Sequence, residues 1–289
     1  MDLSWIGLVL VSALLHPLRD LMLKGTAQPM LCYAGVSFTW VVLAGFHAVA
    51  TGQDLFLQRE VWPFVATSVF GLSLYYYGTL SALRRGNLSI YYPIIRSSPI
   101  AIVVFSWLVM DQSYSWLTIV GIFTVLLGGL MIQKTPGSFL KDSKAFSLAV
   151  IAMLGSAAYS ISDAGAMQFT TPAAYLLYTN IAVTVLLLSI HRWESRGDLM
   201  SFAQVVQHWM LVPWKIILAG VSSYLSYLFI LMAFQLGAEA AAVSAVRQAS
   251  IPVSITLAAI ILLEPSFLKN IAWASLIALG IIFITFSTL

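Results

Sequence analysis

Long apolar runs alternate with short polar breaks from one end of this chain to the other. The runs are about 20 residues long, the length a helix needs to cross the hydrocarbon of a bilayer. With charges, Gly/Pro clusters and polar stretches as boundaries, ten spans are predicted at 4–23, 30–50, 62–83, 88–110, 115–133, 145–168, 172–191, 212–236, 240–262 and 269–288. The strands of a membrane barrel would read as short alternating stretches instead. Several spans lie almost end to end, joined by Arg84-Arg85-Gly86-Asn87 or Leu236-Gly237-Ala238-Glu239. Links this short make neighbouring helices antiparallel hairpins.

The pattern repeats. At a shift of 151 residues Tyr76 pairs with Tyr227, Gly86 with Gly237, Arg96 with Arg247 and Gly129 with Gly280. Spans one and two match spans six and seven at a smaller shift, as in Pro29 and Pro172. The boundary between copies falls near 138, giving units 1–138 and 139–289 of five spans each. Five is odd, so the second copy enters the membrane from the opposite face. Inverted repeats of this kind are common in secondary transporters, which bind substrate between the repeats near the bilayer midplane.

Composition agrees with a membrane protein: 60% of the 289 residues are hydrophobic and 9% are charged, against about 25% charged in soluble domains. A single cysteine, Cys32, excludes an intramolecular disulfide and a cysteine metal site. Met1–Leu15 lacks a basic n-region and continues as a full span, so no cleavable leader is expected. The links after odd spans carry Lys24, Arg84, Arg85, Lys134, Lys141, Lys144, Arg192, Arg196, Lys215 and Lys269, whereas those after even spans carry Arg59. The positive-inside rule puts the odd links in the cytoplasm and both termini outside.

Arg96 and Arg247 break the apolar pattern at equivalent places of the two copies. Arginine within a span is costly and is kept where it has a partner or a function. Guanidinium forks match carboxylate, phosphate and phosphonate oxygens, so the pair points to an anionic solute. A structural ion pair, or bonding to free backbone carbonyls, is the other reading. Helical spacing puts Ser89, Tyr92, Pro93 and Arg96 on one face and Ala240, Ser244, Arg247, Ile251 and Ser254 on another. Tyr76 and Tyr227 belong to polar-aromatic runs, 73–77 and 222–227, that begin about ten residues inside their spans, deeper than an interfacial tyrosine belt requires. His16, Arg19, Asp20 and Asp163 are coupling groups or structural ionic groups, with a hydrogen-bonded structural role favoured for His16. No P-loop, metal-ligand cluster or nucleophile–base arrangement is present, so no cofactor, no metal and no enzymatic activity is expected.

The stretches SALRRGNLSIYYPIIRSSPIAIVVFSWLVMDQSYSWLTIVGIFTVLLGGLMI and MAFQLGAEAAAVSAVRQASIPVSITLAAIILLEPSFLKNIAWASLIALGIIFI each resemble the third-to-fifth-helix core of the EamA domain. The resemblance rests on the Ala-Leu-x-x-Gly lead-in at 82–86, the acidic Asp111 and Glu264 after the fourth helix, and the small-residue-rich fifth helix. Two such domains in tandem imply a ten-helix member of the drug/metabolite transporter superfamily. Members usually keep both termini in the cytoplasm, opposite to the charge count here. The resemblance also places Arg96 and Arg247 on cavity-lining helices.

The expected protein is therefore an all-α integral membrane protein of ten helices in two inverted five-helix repeats, working as a secondary transporter by alternating access. Its expected partners are the lipid bilayer of a cell inner or plasma membrane and a small organic anion, with no nucleic acid. The expected site is Arg96, Arg247, Tyr76, Tyr227, Tyr92 and Ser244. Three alternatives stand beside it: an exporter of amino acids or other zwitterionic or neutral metabolites, a flippase for a phospholipid-type substrate, and a membrane interaction protein that does not transport. Gly121, Gly128, Gly129 and Gly280 suit either an internal seam or a dimer interface, so monomer and homodimer both stay open.

Overall fold

The computed structural model describes residues 4–23, 26, 28–85, 91, 94–132, 142–194, 202–253 and 267–287. Among the described residues the chain is helical with no strand. The helices are α1 (Ser4–Leu23), α2 (Pro29–Thr51), α3 (Trp62–Arg85), α4 (Ser98–Val109), α5 (Trp116–Ile132), α6 (Ser143–Ala166), α7 (Pro172–Glu194), α8 (Phe202–Trp209), α9 (Pro213–Gln235), α10 (Ala240–Val246) and α11 (Phe267–Ser287).

Local chemistry sets the helix ends. Prolines open α2 and α9, where the missing N–H costs no hydrogen bond. The Asp142 side chain caps α6 by accepting from the amides of Lys144 and Ala145. Gly52 and Gly237 take positive φ of 64° and 82° and turn the chain after α2 and α9.

Among the described residues five helices, α1, α2, α6, α7 and α9, are long and apolar enough to cross a membrane, and shorter apolar helices cover Ser98–Val109, Trp116–Met131 and Ala272–Ser287. The 24-residue α3 is diluted by the polar-aromatic run Ser73–Tyr77. Large apolar side chains project outward, Phe46 and Val49 being more than 70% exposed. Tryptophans mark both rims, Trp62 and Trp116 at one end of the bundle and Trp193 and Trp214 at the other, all exposed. That is the arrangement of an aromatic belt at each membrane–water interface.

Among the described residues α1 packs on α9, α2 on α7, α3 on α6 and α5 on α11, while α4 packs on both α6 and α10. Two pairs close on bare backbone. A Cβ on Gly71 would meet the Gly155 carbonyl oxygen at 2.8 Å, and one on Gly155 would meet that of Gly71 at 2.6 Å. Gly121 and Gly280 mirror this between α5 and α11, at 2.8 and 2.6 Å. The small residues of α5 and α11 thus form a seam within the chain, as close helix crossings require.

The structure departs from the predicted spans in two places. Spans four and nine are not continuous helices among the described residues. A turn at Arg96–Ser97 precedes α4, and a 3-10 turn at Arg247–Ala249 ends α10. Both arginines therefore sit at a break, where periodicity alone predicts a straight helix. The second departure is α8, which lies in what the sequence reads as a link. Its Trp209 indole donates to the Leu31 carbonyl at 2.9 Å and stacks on Phe38, fastening α8 to α2.

Candidate functional site

The polar residues that the apolar runs cannot accommodate converge inside the bundle. Asp163 of α6 is 1% exposed and collects hydroxyls from three other helices. Ser68 of α3 donates to its Oδ1 at 2.6 Å and Tyr175 of α7 at 2.7 Å, while Tyr227 of α9 donates to Oδ2. A carboxylate withdrawn from water needs such donors on both oxygens.

Tyr227 then links this acid to a base. The Arg247 guanidinium carbon lies 5.5 Å from the centre of the Tyr227 ring, within cation–π range. One terminal nitrogen of Arg247 donates to His16 Nδ1 at 3.2 Å. Arg247 Nε is buried and has no hydrogen-bond partner among the described residues. Arg247 is thus held by a histidine and an aromatic face, and the carboxylate nearby is occupied by hydroxyls.

The halves meet where the helices break. Gln248 Nε2 donates to the Arg96 carbonyl, in the turn before α4, at 3.0 Å. The Ser98 and Ser244 hydroxyls stand 3.3 Å apart across the same crossing. Gln248 is 3% exposed and its Oε1 is buried without a hydrogen-bond partner among the described residues.

Aromatic rings line the interior. Neighbouring centroids 5.4 to 6.3 Å apart run from Trp40 through Tyr227, Tyr159, Tyr75 and Tyr76 to Tyr33. Arg247 lies over the Tyr227 ring and Arg19 over the Tyr33 ring, the latter at 5.3 Å. Trp40 is fixed by its indole N–H, which donates to Ser223 Oγ at 2.9 Å.

Two small cavities open between these groups. The first, about 30 Å³, is lined by His16, Arg96, Ser98, Ser244 and Arg247 among others. The second, about 40 Å³, includes His16, Arg19, Tyr76, Asp163, Tyr227 and Arg247 in its lining. Each of these two holds a few waters at most. A third cavity of about 680 Å³ sits at the end of the bundle where α4, α6 and α9 finish and α3 and α10 begin. Its lining includes Phe64, Met110, Gln112, Gln168 and Glu239, and it shares Phe234 and Ala240 with the first central cavity.

Of the residues expected from sequence, Arg96, Arg247, Ser244, Tyr227 and His16 border the first cavity, and Tyr76, Arg19 and Asp163 border the second. Tyr92 and the Asp20 side chain lie outside the described residues. Trp40, Tyr75, Tyr159 and Gln248 also line the cavities, and Ser68 and Tyr175 hold Asp163. The sequence carried a signal for Gln248, a polar residue beside an intramembrane arginine, but none that sets Tyr159 and Tyr175 apart among twelve tyrosines. No group of three or more metal-ligating side chains occurs among the described residues.

With this geometry in view, the chain's relatives are informative. Residues 3–133, the first of the expected repeats, match the EamA-like transporter family, which agrees with a multi-pass membrane protein. A solved structure described as "Crystal structure of protein" has the same fold, with a TM-score of 0.78 at 17% identity over 98% of this chain and 98% of that one. The shared fold therefore extends over the second half, beyond the family match. No curated protein matches the sequence.

Proposed function

We propose that the chain is a secondary transporter that moves a small organic anion bearing a phosphate, phosphonate or carboxylate by alternating access. The observation that carries this reading is the state of Arg247. Its guanidinium is bound to a histidine and an aromatic face, its Nε is buried without a hydrogen-bond partner among the described residues, and Arg96 borders the same cavity. An arginine held like Arg247 suits an anionic acceptor, which completes its hydrogen bonding. The nearby Asp163 does not cancel them by direct pairing, because its oxygens receive three hydroxyls.

The pairing of helices supports two inverted repeats, 1–138 and 139–289, with five spans each. A two-fold relation that exchanges spans one to five with six to ten maps the α1–α9 contact onto the α3–α6 contact, and maps α2–α7, α4–α10 and α5–α11 onto themselves. The wide cavity at one end and the tight centre support an alternating cycle. A multi-pass protein of this type fits an inner or plasma membrane.

A second reading has one observation in its favour: Asp163 and Arg247 border the same cavity. A zwitterion such as an amino acid presents an ammonium and a carboxylate at once. A thermal-shift screen of purified protein against organic phosphates, phosphonates, carboxylates and amino acids separates the two readings. Anions are expected to stabilise the protein, and Arg96→Ala and Arg247→Ala to abolish both stabilisation and uptake into proteoliposomes while leaving insertion intact. Hits confined to neutral or cationic compounds, or normal uptake by both variants, overturn the anion reading.

A further inference from the structure

We infer that His16 is the positioning residue of the anion site: a neutral acceptor that sets the rotation of the Arg247 guanidinium. This rests on the anion reading for its functional meaning and on geometry for its substance.

An arginine side chain has five N–H donors and no acceptor. The 3.2 Å contact between Arg247 and His16 Nδ1 therefore requires Nδ1 to be bare, with the ring proton on Nε2. His16 is 5% exposed on α1, so its ring has little freedom to turn away. The charged groups around it are Arg247 and Arg96 from the breaks after α10 and before α4, Arg19 one turn along α1, and Asp163 across the second cavity. The hydroxyls of Tyr75, Tyr159 and Tyr227 belong to the same cavities. A ring amid three guanidiniums that accepts from one of them is fitted to hold a donor in place. It is not fitted to carry a proton, since a second ring proton would remove the acceptor and add a fourth positive charge.

The tether also decides which edge of Arg247 is left for a ligand. One terminal nitrogen is bonded to His16 and the guanidinium carbon lies over the Tyr227 ring, which Asp163 holds in turn. Nε, the other terminal nitrogen and the second N–H of the tethered nitrogen remain. Each parallel pair of N–H donors on a guanidinium includes the tethered nitrogen, with Nε on the side or with the other terminal nitrogen at the end, so the bond to His16 takes up one fork and leaves the other to bind an oxyanion bidentately. Without His16 the guanidinium can rotate about its long side chain, and the fork is no longer preorganised.

The test separates an acceptor from mere filling. His16→Asn keeps an oxygen near the position of Nδ1, whereas His16→Leu keeps much of the volume and loses the acceptor. The first readout needs no ligand: the rate at which phenylglyoxal modifies Arg247 in the purified full chain, followed by peptide mass spectrometry and normalised to the exposed Arg59. We expect equal rates in wild type and His16→Asn and a rise of several-fold in His16→Leu. The second readout is stabilisation by inorganic phosphate and by phosphonoacetate, with apparent Kd raised about tenfold in His16→Leu and much less in His16→Asn, the effect of one charge-assisted hydrogen bond. Should His16→Leu not be recovered folded, His16→Ala takes its place with the same expectations. The inference fails when the Asn variant behaves like the acceptor-less one, or when the acceptor-less variant matches wild type in labelling. If neither anion stabilises wild type while the labelling order holds, the positioning role stands and the anion reading falls.

Discussion

Asp163→Ala is the perturbation whose outcome the structure constrains most tightly. The substitution removes an acceptor that serves three hydroxyls on three helices. Stranding a buried donor costs about 1–3 kcal/mol, so three stranded donors would cost about 3–9 kcal/mol. Two of them have an alternative, however. The Tyr175 hydroxyl already lies 3.4 Å from the Phe64 carbonyl, and that same carbonyl is the i−4 oxygen that Ser68 can reach by rotating its hydroxyl. Tyr227 has no such substitute among its contacts. The expected loss is therefore that of one fully stranded hydroxyl plus weakened bonds for two others, about 2–4 kcal/mol. Asp163→Asn keeps one carbonyl oxygen for Ser68 and Tyr175, and its amide can donate to a rotated Tyr227, so about 1 kcal/mol is expected. Denaturant unfolding in detergent, followed by circular dichroism, should rank wild type above Asp163→Asn and both clearly above Asp163→Ala. An Asp163→Ala protein that unfolds at the wild-type midpoint would refute the reasoning, because Asp163 would then not be the anchor of Tyr227 and, through it, of Arg247.

Further predictions concern packing, charge geometry and access. Gly155→Ala places a methyl 2.6 Å from the Gly71 carbonyl and 2.8 Å from the Tyr75 amide; backbone cannot swing aside, so a loss of about 1–3 kcal/mol is expected in the same unfolding assay. Gly45→Ala, with nothing within 4 Å, should unfold like wild type. Arg247→Lys keeps the charge and loses the planar fork, so transport of a phosphate- or phosphonate-bearing solute should fall at least tenfold in proteoliposomes, with wild-type uptake counting against bidentate recognition. Phe234, 6% exposed, stands between the wide end cavity and the first central one. In a Cys32→Ala background, the thiol introduced by Ser244→Cys should react slowly with a membrane-impermeant methanethiosulfonate and markedly faster once Phe234→Ala is added; an unchanged rate would mean that Phe234 is not the barrier.

Periodicity and charge were enough to read the membrane character, the helix-rich pattern and the two arginines as anomalies, because a bilayer imposes length and apolarity on each segment independently of its neighbours. Arg96 and Arg247, paired by the 151-residue shift in the sequence, both stand at helix breaks. What surrounds each polar group depended on which helices touch and at what rotation, and no single segment encodes that. Asp163 could have met an arginine and instead met Ser68, Tyr175 and Tyr227, residues 95, 12 and 64 positions away. Gln248 acquired its role because the fold brings the Arg96 carbonyl, 152 residues earlier, within reach of its amide. His16, read from the sequence as a structural histidine, became the partner of Arg247 across 231 residues. Hydropathy determines that a residue must be in the membrane; only the packing of antiparallel helices determines which side chain satisfies it there.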